Sequence, residues 1–171
     1  MDSVELSKTL RESARQNGLC NEWYNDWKDE TSPYSLAEKM YKGLDFCLKH
    51  HWPSNDFIKE NFSQDFLRKA HVYVDDKHSV INPKQSLILG KSDITIRFNS
   101  NGHGEIHVRD NSRVKLTAKT RSFVIVHLYE NAYIYAEQTE LAKVVLVKHS
   151  KDVTVVTEGN VTIKEEYDYL K

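Results

Sequence analysis

Apolar residues follow two different periods along this 171-residue chain, and the change falls near residue 72. Before it they recur at helical spacing. Leu6, Leu10 and Ala14 mark one face of a first helix, and Asn17-Gly18 is a stop signal. Leu19, Cys20, Trp23 and Trp27 mark a second face, broken at Ser32-Pro33. Leu36, Met40, Leu44 and Cys47, with Ala37, Tyr41 and Leu48, predict a third helix that Trp52-Pro53 ends. Ser54 is a suitable N-cap for a short fourth helix carrying Phe57, Ile58 and Phe62.

Beyond residue 72 the period is 2. His71–Val74 and Ser86–Leu89 predict short strands on either side of an Asp/Asn/Pro-rich connection. From Ile94 to Ile163 the pattern is almost continuous strand with turns every eight to ten residues, and an internal repeat runs through it. Ser112, Ser122, Ala132 and Ala142 are spaced by ten. Each is followed two residues later by Val114, Val124, Ile134 and Val144, and two further on by Leu116, Val126, Ala136 and Leu146. Looser copies flank the four regular units. Stacked coils demand equal lengths because each rung sits on the last, whereas hairpins tolerate length changes. The chain therefore reads as an α+β protein: a helical N-terminal domain (1–72), connecting strands and loops (73–104), and a short right-handed β-solenoid repeat domain (105–171). Two ten-residue units make one coil, and the small residue opening each unit fits a tight inward corner. An antiparallel sandwich is the competing fold.

The repeat also sorts outward side chains onto two faces. One carries Arg113, Lys115 and Thr117 beside Tyr133, Tyr135 and Glu137. The other carries Phe123, Ile125 and His127 beside Lys143, Val145 and Val147. Phe123, Ile125, Val145 and Val147 form a candidate protein-binding patch, and such an apolar face is expected to be covered by the helical domain, by a partner or by self-association. Arg109, Arg113, Lys115, Lys119 and Arg121 form a basic strip that, with Tyr133 and Tyr135, is the candidate nucleic-acid surface, since cations beside aromatic rings suit single-stranded RNA or DNA.

Composition adds bounds. With 24 Lys+Arg against 25 Asp+Glu, the net charge of -1 excludes a wholly basic nucleic-acid-binding surface. No apolar run approaches the ~18 residues of a membrane span, and the charged N-terminus has no hydrophobic signal region, so the expected location is the cytoplasm. Cys20 and Cys47 are expected to be reduced and buried.

Catalytic chemistry finds little support. There is no H-E-x-x-H or C-x-x-C motif among the eight histidines, so neither metal nor cofactor is expected. Cys47 and His51 at i, i+4 read as packing and capping. His107 and His127 fall on one outward face two units apart, where stacked rings can meet. Gly90-Lys91-Ser92 imitates a phosphate loop, but Gln85 stands where its first glycine belongs and Ile94-Thr95-Ile96 continues as strand, so no helix N-terminus receives a phosphate. Asp75-Asp76 and Glu165-Glu166 read as solvated charge. The chain is expected not to be an enzyme.

Val108-Arg109-Asp110-Asn111-Ser112 and its variant Tyr129-Glu130-Asn131-Ala132, with the Leu19-Cys20-x-x-Trp23 opening and Leu89-Gly90-Lys91-Ser92, resemble the D-N-S/D-N-A β-solenoid repeats of small proteins from Bacteroidota phages and mobile elements. The likeness spans most of the chain and departs from tidy repeats after Leu146. It implies the solenoid and supplies no catalytic residues. Proteins of that size from phages are often anti-defence inhibitors, including anti-CRISPR proteins. The implied function is a non-catalytic binding protein acting on a larger nuclease or ribonucleoprotein complex, with RNA contact. The alternatives are a phage structural or fibre-type module and a single-stranded nucleic-acid-binding protein.

Overall fold

The computed structural model describes residues 2–28 and 32–168. Contacts divide the chain after Phe66 into two compact units. The first is helical: α1 (Ser3–Gln16), α2 (Asn21–Asp26), α3 (Pro33–Lys42), α4 (Leu44–His50) and α5 (Asn55–Asn61), with α6 (Gln64–Lys69) running across the boundary. Side-chain caps start four of these helices: Asp2 accepts from Glu5 N–H, Ser32 from Tyr34 N–H, Ser54 from Phe57 N–H and Ser63 from Phe66 N–H. The expected third helix is two, because Gly43 ends α3 and α4 begins at once. Leu6, Leu10, Ala14, Trp27 and Leu36 form the helical core. Its indoles are satisfied by serines of α1, Trp27 Nε1 donating to Ser7 Oγ (3.1 Å) and Trp52 Nε1 to Ser13 Oγ (3.0 Å). Cys47 is buried as expected, but Cys20 is exposed, since it stands at the N-cap of α2 and not on its inner face.

The second unit is a β-solenoid. Its strands are β1 (Val72–Val74), β2 (Lys77–Ile81), β3 (Gln85–Leu89), β4 (Asp93–Phe98), β5 (Gly102–Val108), β6 (Arg113–Ala118), β7 (Ser122–Leu128), β8 (Tyr133–Gln138), β9 (Lys143–Lys148), β10 (Thr154–Glu158) and β11 (Thr162–Glu165). Odd strands form one sheet, in the order β1-β3-β5-β7-β9-β11, and even strands the other, β10-β8-β6-β4-β2; every pairing is parallel. Register is held at one coil of twenty residues through the middle, as in Gln85↔Glu105, Arg113↔Tyr133 and Phe123↔Lys143. After Leu146 it loosens: Thr154 pairs with Tyr133 and Thr162 with Val145. The solenoid begins earlier than expected. Residues 73–104 are its first coils and not a connection, and β2, inside the supposed Asp/Asn/Pro-rich linker, was concealed because as an edge strand it buries no residue fully. Residues 169–171 of the expected repeat domain lie outside the described residues.

The repeat positions face inward as predicted. Val114, Leu116, Val124, Val126, Ile134, Val144 and Leu146 join Ile94, Ile96, Ile106 and Val108 in one apolar core. Each such aliphatic side chain contributes ~1.5–3 kcal/mol of burial. The corners explain the small residues. Gly90, Asp110, Thr120, Glu130 and Glu140 all have positive φ, and two residues after each comes a buried Ser92, Ser112, Ser122, Ala132 or Ala142. Ser92 and Ser122 close their own corners, Oγ donating to Leu89 O and to Lys119 O, whereas Ser112 Oγ donates to Gly90 O and ties its corner to that of the coil before. Carboxylates cap the amides of the coil before: Asp110 Oδ2 accepts Gly90 N–H (2.6 Å) and Glu140 Oε2 accepts Thr120 N–H (2.7 Å). Asp75 Oδ1 accepts Lys91 N–H (2.8 Å), so the Gly90-Lys91 amides are taken by protein carboxylates and cradle no phosphate. A Cβ on Gly90 would lie 2.2 Å from Asp75 Oδ1, and its φ of +71° is one that side chains resist.

The reading of Asp75-Asp76 as solvated charge holds for Asp75, which is exposed, and is overturned at Asp76. Asp76 is buried and takes a bidentate pair from Arg68, Nε–Oδ2 2.9 Å and Nη2–Oδ1 2.8 Å. Arg68 is the main reason the Asp76 carboxyl is held below the ordinary carboxylate range. Among the described residues, no helix is long and apolar enough to cross a membrane.

Candidate functional site

Alternation puts every second strand residue outside, so each sheet has an outward face of rows one residue wide. On the even-strand sheet, Asp93, Arg113, Tyr133 and Thr154 form one row and Thr95, Lys115, Tyr135 and Val156 the next. Neighbouring coils are ~4.8 Å apart, and this spacing stacks cations on rings. The Arg113 guanidinium lies 4.4 Å from the Tyr133 centroid, and Lys115 Nζ 5.9 Å from that of Tyr135. A hydrogen bond to Glu158 is the main reason the Tyr135 phenol is pushed up to about 12, which keeps it neutral. The third row ends in acid, with Glu137 beside Glu158.

Four of the seven candidate nucleic-acid residues are therefore together. Lys119 and Arg121 are exposed beyond the other end of β6, six and eight residues on from Arg113 and on either side of the Thr120 corner. Arg109 leaves the strip altogether. It belongs to the odd-strand side, is 3% exposed, and its Nε donates to Asp110 Oδ1 at 3.0 Å. Spacing by sequence had merged two faces and two corners into one strip.

The outward face of the odd-strand sheet grades from wet to dry. Phe123 beside Lys143 is exposed (42%), and Ile125 beside Val145 is half-buried. Val147, across from His127, is 4% exposed and offers no surface. The expected apolar patch shrinks to Phe123, Ile125 and Val145, and the chain itself leaves Phe123 uncovered.

At the dry end of this face lies a cluster of rings. His107 and His127 pair across β5 and β7, their rings stacked at 4.7 Å and 7°. Tyr129 stacks on His149 at 4.6 Å and 14°. His107 Nδ1 meets the Tyr129 hydroxyl at 3.2 Å, His127 Nδ1 meets His149 Nε2 at 2.9 Å, and His149 Nδ1 meets the Glu166 carbonyl oxygen at 2.9 Å. The Nε2 atoms of His107 and His127 both face Glu105 Oε1, at 3.3 and 3.5 Å. Burial, then the neighbouring His127 and His149, push His107 down to about 3, so it is a neutral imidazole at physiological pH.

Sequence reasoning brought His107 and His127 together but missed Glu105, Tyr129 and His149 beside them. The His107–His127 meeting was legible from the twenty-residue coil. Glu105, two residues before His107 on the same face, was the further signal, whereas His149 is out of the twenty-residue step and reaches the row only because the coils loosen there.

No family model matches the chain, and comparison with curated proteins and with solved structures gives no match either.

Proposed function

We propose that the chain is a non-catalytic binding protein of the cytoplasm that engages a larger ribonucleoprotein complex, with the even-strand face of the solenoid against its nucleic acid. One observation carries the reading: Arg113 on Tyr133 and Lys115 on Tyr135, two cation–aromatic columns side by side on a rigid, solvent-facing sheet. Such columns offer phosphates a charge and bases a ring without any loop having to order on binding. The resemblance to phage and mobile-element solenoid repeats favours a complex of host defence, a CRISPR-type nuclease above all, as the target that is blocked.

The test is a pull-down from host lysate with the wild-type chain and with Arg113→Glu/Lys115→Glu, each with and without nuclease treatment. Recovery of nuclease-complex subunits by the wild type, lost in the variant and reduced by nuclease treatment, supports the reading. Equal recovery by both proteins, or recovery of nothing, refutes it.

A further inference from the structure

We propose that Glu105, His107 and His127 form a binding site for a divalent transition-metal ion of the zinc class on the outward face of the odd-strand sheet. One ligand atom of each lies within 4.8 Å of the other two. The set is two imidazole nitrogens and one carboxylate oxygen, a donor chemistry that suits zinc and its neighbours and not magnesium or calcium.

Distances favour a metal over hydrogen bonds. Charge-assisted N–H···O bonds run ~2.7–2.9 Å, whereas the two Nε2 atoms stand 3.3 and 3.5 Å from the same Glu105 oxygen. Ligands bound at ~2.0–2.2 Å in a tetrahedron are ~3.3–3.6 Å apart. Two of the three edges thus have the length of ligand edges around an ion, and the third pair of ligand atoms lies within 4.8 Å.

Two imidazoles, His107 and His127, meet the same carboxylate oxygen of Glu105. The outer bonds are those that hold metal-binding histidines in place: Tyr129 on His107 Nδ1, and His149 on His127 Nδ1. Glu105 is more than half exposed, so an ion reaches the site from solvent.

The experiment titrates the full chain, free of any histidine tag and stripped with chelator, with zinc alone, by calorimetry and by competition with a chromophoric chelator. One equivalent is expected to bind, and Glu105→Gln and His127→Gln are each expected to weaken it at least ~10-fold, while His103→Gln, an exposed histidine of the same strand, leaves it unchanged. Zinc also raises the melting temperature of the wild type and not of Glu105→Gln, a surface change that spares the fold. Absence of saturable binding to the folded wild type, or equal affinity in wild type and both ligand variants, overturns the proposal.

Discussion

On the even-strand sheet, Arg113 and Lys115 stand over Tyr133 and Tyr135 in contact with solvent. On the odd-strand sheet the corresponding outward rows hold His107, His127, Tyr129 and Val147, three of them almost wholly buried. The two faces share one backbone, one twenty-residue step and one aliphatic core. Their difference lies in the residues allotted to outward positions and in how far those residues are covered. A parallel solenoid therefore separates stability from recognition: inward residues and corners set the fold, and each outward row is free to take its own chemistry.

That separation is broken most severely from inside. Leu116→Ala is expected to cost ~2–5 kcal/mol, whereas Lys115→Ala, one residue away and outside, is expected to stay within ~0.5 kcal/mol; denaturant titration of both variants checks the contrast. Comparable losses would mean that the outward face carries stability too.

Next comes the Arg68–Asp76 pair. Arg68→Ala leaves a buried carboxylate without its bidentate partner and is expected to cost ~3 kcal/mol. Because the folded carboxyl is held below its ordinary value of 3.8, this stabilisation is complete above that value and is lost as pH falls through the lower folded one. Thermal melts between pH 5 and pH 2, read at about one-unit steps, should fall more steeply for wild type than for Asp76→Asn. Parallel curves would remove the pair from the account.

Corners come third. Ser112→Leu forces a large side chain into a fully buried bend and is expected to cost ~1–3 kcal/mol. Ser112→Ala, the residue that the Ala132 corner already uses, is expected to lose only ~1 kcal/mol of hydrogen bonding to Gly90 O. Chemical denaturation of the two variants orders them, and a reversed order would deny the corner its steric role.

Much of this was legible in the sequence, for reasons that can be named. Ser112, Ser122, Ala132 and Ala142 at equal spacing reveal the coil because stacking forbids unequal lengths, and each proves to sit in a corner with a positive φ two residues earlier. The inward positions followed from alternation alone. What stayed hidden depends on three dimensions. The strand β2 carries too little apolar surface to announce itself. Arg109 and Arg113 are four residues apart, yet the Asp110 corner sends them to different faces. The Glu105–His107–His127 set has no linear motif because its members come from successive coils. His149 joins it through a step of 22 residues from His127.

The claim that the even-strand face contacts nucleic acid is tested most directly by fluorescence anisotropy of a labelled single-stranded RNA titrated with protein across a range of salt. Wild type is expected to bind saturably, with affinity falling as salt rises. Arg113→Glu/Lys115→Glu is expected to bind more weakly, with the log–log salt slope reduced by ~1.4, since each lost phosphate contact accounts for ~0.7 on a single strand. An unchanged affinity and slope in the double variant, at equal thermal stability, would contradict the account.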